Sequence, residues 1–210
     1  MADLKWWYSG TNGPANWHKF CSIGEEQSPI DISAPLTAKL PDITFSYYEE
    51  PLRLDNAKYT VKAGGFEECS LTLDNVKYRL EEIHFHSPSE HQIESRAFPL
   101  ETHLVHTGEG GENMVLSVFI EEGESKKDFN PLIESLERFG LSKDFDETLL
   151  IDPFDFIPKD KAYYTYQGSH TSPPCTEGVR WLIMRDTFTL PSAQIERLRR
   201  VVGENCRPIQ

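Results

Sequence analysis

The chain has 210 residues, of which 38% are hydrophobic and 11% aromatic, enough for a large core in one domain spanning 1–210. Its formal net charge of −13 makes a nucleic acid or an anionic membrane surface an electrostatically repelled partner. No apolar run reaches the ~18 residues of a membrane-spanning helix. The N-terminus lacks the apolar core of a signal peptide, so either the protein is intracellular or a leader has been removed.

Residues 5–30, rich in Trp, Gly, Pro and Asn, are expected to form an irregular, aromatic-packed lead-in, with Gln27-Ser28-Pro29-Ile30-Asp31-Ile32 beginning the regular part. Short strands are expected at 43–48, 59–62, 70–73, 77–86, 100–106 and 114–120, with hairpin turns at Asp74-Asn75 and at 108–111. A helix capped by Asn130, with Pro131 at its first position, stops at Gly140. Tyr163-Tyr164-Thr165-Tyr166 precedes a loop at 168–174, and 178–184 reads as a buried strand. A second helix starts near Pro191-Ser192 and places Ile195, Leu198, Val201 and Val202 on one face before Gly203. Strands dominate, so the fold class is mainly β.

The chemistry concentrates in Glu81-Glu82-Ile83-His84-Phe85-His86-Ser87-Pro88-Ser89-Glu90-His91 and Glu101-Thr102-His103. Strand alternation puts His84 and His86 on one face, and His103 meets them if the two segments are antiparallel neighbours. Three imidazoles on one face suit Zn²⁺ with an open fourth position. Carboxylates share those faces, Glu82 with His84 and His86, and Glu101 with His103, as acceptors for the far N–H of a ligating imidazole. The cysteines at 21, 69, 175 and 206 fit no CxxC motif; they are either small buried hydrophobes or include one disulfide.

Ordered along the chain, Asn12-Gly13-Pro14, Gln27-Ser28-Pro29-Ile30, Tyr78-Arg79-Leu80, His84-Phe85-His86, Ser89-Glu90-His91, Glu101-Thr102-His103-Leu104-Val105-His106, Tyr166-Gln167-Gly168-Ser169, Thr171-Ser172-Pro173-Pro174-Cys175 and Asn205-Cys206-Arg207-Pro208 resemble the α-class carbonic anhydrases. The resemblance implies a single domain built on one large, mostly antiparallel twisted sheet with a few short peripheral helices, and a zinc enzyme that reversibly hydrates carbon dioxide to bicarbonate and a proton. His84, His86 and His103 would hold zinc. Thr171 would accept a hydrogen bond from zinc-bound hydroxide and donate to Glu90, since an ionised glutamate only accepts; its N–H would serve the developing oxyanion. Glu82, Glu101 and the Asn205 carbonyl would orient the ligating rings. Val105, Val115, Val179 and Trp181 would form the apolar carbon dioxide pocket. Anions and sulfonamides would inhibit, and the protein would be a monomer or homodimer. Cys21 and Cys175 match the disulfide of secreted and bacterial members, which implies a secreted, periplasmic or organelle-lumen location rather than the cytoplasm. The alternative is a catalytically silent relative acting as a binding or storage module; such relatives typically lose zinc histidines, and all three are present here.

Several positions depart from the family pattern. Glu82 stands where vertebrate relatives often carry Gln, and its charge is expected to raise the pKa of the zinc-bound water from about 7, the value established for carbonic anhydrase itself. His170 replaces a bulky apolar residue before Thr171; it is a candidate proton acceptor, steric restriction or inhibitor contact. No histidine lies between His18 and His84, and Lys58 or Tyr59 in the segment matching the usual proton shuttle titrates too high near neutral pH, so proton transfer is expected to limit turnover. Cys69 and Cys206 have no assignable family role. The chain stops at Gln210, where family members usually continue as a further strand, which suggests truncation or disorder at the C-terminus.

Overall fold

The computed structural model describes residues 5–21, 24–56, 61–125, 127–141 and 149–210. Its centre is a ten-stranded sheet. The strands are β1 (Thr44–Ser46), β2 (Arg53–Asn56), β3 (Val61–Gly64), β4 (Ser70–Leu73), β5 (Val76–His86), β6 (Leu100–Gly108), β7 (Asn113–Glu122), β8 (Tyr163–Ser169), β9 (Glu177–Met184) and β10 (Phe188–Leu190). The order across the sheet is β8-β9-β7-β6-β5-β3-β2, with β4 on β5, β1 on β4 and β10 on β7. Strands β9 and β10 run parallel to β7, and the other pairs are antiparallel. The expected mainly β, mostly antiparallel sheet is therefore the one found.

Alternation gives this sheet two different faces. Ile83, Phe85, Leu104, Leu116, Val118, Leu182 and Met184 point into the main core, where α1 (Asn130–Leu141) and α2 (Ser192–Val202) cover them with Leu132, Ile133, Leu136, Ile195 and Leu198. Each fully buried side chain of this kind contributes about 1.5–3 kcal/mol. The intervening residues, His84, His86, Glu101, His103, Val105 and Val115, occupy the opposite face. The core thus fixes the strand register, since slipping by one residue would exchange the two faces.

The predicted elements differ from the observed ones mainly at their ends. The strand expected at 43–48 shortens to β1, because Tyr48 N and O turn to the Cys69 thiol and Glu50 accepts the N–H groups of Glu67, Glu68 and Cys69. Asp74 and Asn75 both have positive φ, as the predicted tight hairpin requires. Asn130 does not cap α1: it lies within the helix and its side-chain oxygen accepts from Arg197. The helix also continues through Gly140 to Leu141. Gly203 ends α2 with φ +66°. Part of the strand expected at 59–62, with Lys58 and Tyr59, lies outside the described residues.

His106 on β6 is fully buried and receives the Tyr47 hydroxyl at 2.6 Å on Nε2. Burial pushes Tyr47 up, which keeps it a donor, and pushes His106 down to about 3. The folded pKa is depressed, so this contribution is complete above the unfolded value near 6.5 and is lost as pH falls from there towards 3. Urea unfolding of the protein is expected to weaken across that window by up to about 1.4 kcal/mol per pH unit for this residue, and His106→Gln should flatten the slope. An unchanged slope would contradict a neutral buried His106.

Candidate metal centre

Register brings the histidines together. Strand β5 carries His84 and His86 on one face, and β6 pairs His103 directly with His84 and Glu101 with His86. One ring nitrogen from each of His84, His86 and His103 lies within 4.8 Å of the other two. His86 and His103 are 2% and 1% exposed.

The far nitrogens identify which lone pairs are free. His103 Nε2 donates to Glu101 Oε1 at 2.8 Å, and His86 Nδ1 donates to the Asn205 carbonyl at 2.7 Å. His84 Nδ1 stands 3.1 Å from Glu82 Oε1. Carboxylates and carbonyls only accept, so His86 and His103 carry their protons on that side and offer a lone pair on the other, while His84 Nδ1 lies beside the Glu82 carboxylate without a hydrogen bond. Burial, followed by neighbouring imidazoles, lowers His86 well below its ordinary pKa; burial, opposed by Glu101, lowers His103 to about 4. Both rings are neutral at pH 7, the form that binds metal. His86 Nε2 is buried with no hydrogen-bond partner, an arrangement costly unless something occupies it. Three imidazoles whose ring nitrogens converge in this way fit a zinc ion with one open position.

Glu101 organises the surroundings. It accepts from His103 Nε2, from His91 Nδ1 at 2.8 Å, from Ser117 Oγ at 2.5 Å, and from the backbone N–H groups of Glu90 and His91 at 2.8 and 2.9 Å. Against burial, electrostatic contact and hydrogen bonds with His91 and His103 hold its pKa well below the usual carboxylate range. His91, Glu101 and His103 also cluster closely enough for a metal, but Glu101 Oε1 sits at hydrogen-bond distance from both rings, so protons fill that space. The chain of contacts continues from His91 Nε2 to the Tyr166 hydroxyl and on to Ser28 Oγ, each at 2.7 Å. Gly168 permits this approach: a Cβ there would lie 2.2 Å from Ser28 Oγ.

The centre opens into a cleft of about 420 Å³ lined by His84, His86, His103, Val105, Val115, Thr171 and Trp181, with Trp6, Tyr8, Lys62, Glu82 and His170 among its other walls. Val179 does not line it; this residue is fully buried in the cluster with Val115 and Trp181. Thr171 follows β8 in a loop held by Trp181 Nε1 to the Ser169 carbonyl and by His170 N to the Thr176 carbonyl. The disulfide joins Cys21 to Cys175 in the same loop, while Cys69 and Cys206 are free thiols. Burial pushes their pKa values up to about 12 and about 11 respectively, so neither resembles an activated nucleophile.

Glu90 lies beside these groups. Its Oε1 accepts the Arg207 N–H at 2.8 Å, and its Oε2 lies 3.3 Å from His86 Nε2. Burial pushes Glu90 well above the ordinary carboxylate range, against the opposing Thr171 and Arg207 contacts. A divalent cation at the adjoining imidazoles would counter that burial.

All three proposed ligands, their three partners, Thr171, Glu90 and His170 therefore meet in one place. Sequence reading missed Lys62, Tyr8, Trp6, His91, Ser117 and Tyr166. Parity would have put Ser117 on the His103 face, since the two pair across β6 and β7. Tyr8 and Trp6 carried no such signal, because their lead-in segment has no strand or helix periodicity.

Comparison with known proteins agrees with this geometry. Residues 12–209 match the eukaryotic-type carbonic anhydrase family. The carbonic anhydrase of Neisseria gonorrhoeae is 36% identical, over 98% of this chain and 84% of its own. The α-carbonic anhydrase from Thermovibrio ammonificans, solved with the inhibitor sulfanilamide, has a TM-score of 0.87 at 33% identity, covering 98% of this chain and 95% of that one. Dioscorin, solved in complex with ascorbate, has a TM-score of 0.89 at 32% identity, covering 98% and 93%. With a match over nearly its whole length, the chain belongs to the eukaryotic-type carbonic anhydrase family.

Proposed function

We propose that the chain catalyses the reversible hydration of carbon dioxide to bicarbonate and a proton, with zinc held by His84, His86 and His103. The observation that carries this is the convergence of one ring nitrogen from each of His84, His86 and His103, with acceptors fixing the far nitrogens of His86 and His103 and the Glu82 carboxylate 3.1 Å from that of His84. When bound in such a site, zinc supplies a water acidified to a pKa of about 7, the value established for carbonic anhydrase. An all-nitrogen donor set disfavours magnesium and calcium, which take oxygen ligands.

The protein's own groups orient and exclude. Glu101, Asn205 and Glu82 hold the rings. An ionised Glu90 can only accept, so a Thr171 hydroxyl donating its hydrogen bond to Glu90 leaves the Thr171 oxygen as an acceptor, which selects one orientation of a nucleophile in the cleft. Val105, Val115 and Trp181 offer an uncharged substrate an apolar wall, backed by Val179. His170 lines the cleft outside the donor triad and is the candidate proton carrier; burial lowers its pKa, leaving it neutral and able to accept at pH 7. Small anions and sulfonamides are the inhibitors this cleft should take. The disulfide supports a location outside the cytoplasm. A silent binding or storage module would have no use for the ligand-orienting acceptors.

Thr171→Ala is expected to lower kcat/KM for hydration about 100-fold, read by stopped flow, while Thr171→Ser keeps most of the activity. Equal rates for Thr171→Ala and the parent would remove Thr171 from the mechanism.

A further inference from the structure

The first imidazole of the donor set lies beside an ion pair. Glu82 places Oε1 3.1 Å from His84 Nδ1 and Oε2 2.7 Å from Lys62 Nζ. Lys62 comes from β3, which pairs with β5 through Gly64 opposite Glu82, so Lys62 lies one diagonal step away. Both side chains line the cleft. They are 34% and 22% exposed, so the pair is screened less than an ordinary surface salt bridge.

We propose that Lys62 is a positioning residue for the metal centre: by binding Glu82 it draws carboxylate charge away from His84, weakening that ring as a donor and so setting zinc affinity and the acidity of zinc-held water. This rests on His84 being a zinc ligand. A carboxylate that accepts a ligating histidine's far N–H raises the basicity of the ring, and a more basic ring leaves the metal less electrophilic. A cation on the second oxygen of the same carboxylate opposes that effect. The other charged or titratable groups facing the pair are His84 beside it and His170 across the cleft. Neighbouring Glu81 is engaged by Arg79 at 2.7 Å. Lys62 thus moderates the charge expected from Glu82 at the metal.

The test uses Lys62→Met, which keeps an apolar stem of similar length, together with Glu82→Gln and the double variant. Zinc affinity is measured by chelator competition on metal-free protein, and the visible spectrum of the cobalt-substituted protein is followed against pH. Lys62→Met should bind zinc about three- to tenfold more tightly and move the spectral midpoint up by about half a pH unit. Glu82→Gln should weaken zinc about tenfold and move the midpoint down. In the Glu82→Gln background, Lys62→Met should change neither, the signature of action through Glu82. Equal Lys62→Met effects in both backgrounds, or none in either, would overturn the role of Lys62 while leaving the zinc site standing. A parent protein that binds no zinc would overturn both.

Discussion

His103→Ala is expected to leave a folded protein that no longer retains stoichiometric zinc and whose hydration kcat/KM falls about 10⁴-fold, some 5 kcal/mol of transition-state stabilisation. His103 is the most informative of the three histidines to remove. It faces His84 directly across the β5–β6 ladder, and its far nitrogen is fixed by the most heavily bonded carboxylate of the centre. Alanine deletes one of three donors, while Glu101 keeps His91, Ser117 and two backbone N–H groups as partners. The strands therefore have little reason to separate, and far-UV circular dichroism should match the parent. Full zinc occupancy with parental activity would show that His103 is not a ligand.

The second large effect concerns the disulfide. Replacing Cys21 and Cys175 together by serine opens a covalent link across a sequence separation of 154. In the chain-entropy account a loop of that length is worth about 5 kcal/mol, and measured losses run from about 2 to 5. For a chain of this size the expected fall in Tm is roughly 10 °C. Activity should fall as well, because Cys175 closes the loop that carries Thr171, where Gln27 Nε2 also bonds the Cys175 carbonyl and Glu177 Oε1 accepts from Gln27 and from the Glu26 N–H. Scanning calorimetry with and without reductant provides the check. An unchanged Tm in reductant, with four titratable thiols, would mean that the bond does not support the fold.

The three-histidine cluster was readable from sequence because it obeys local rules. Period-two alternation put His84 and His86 together, and Glu101 with His103, and the core on the other face enforces that parity. The Thr171 and Glu90 juxtaposition was not derivable in that way, because one residue lies in a loop after β8 and the other before β6; it came from the family resemblance. Lys62 went unnoticed because its meeting with Glu82 depends on the register of β3 against β5, which no turn connecting them announces. Val179 was assigned to the pocket wall, yet it lies buried behind that wall, since being on the right sheet face does not determine depth. Asn130 looked like a cap by residue type, but tertiary contact with Arg197 claimed its side chain.

The most direct test of the zinc hydratase reading is stopped-flow carbon dioxide hydration by protein stripped with chelator and then titrated with zinc. Activity should be lost on stripping and return linearly, saturating at one zinc per chain, while His103→Ala returns none. Undiminished hydration in the stripped protein, or no hydration at full zinc occupancy, would contradict it.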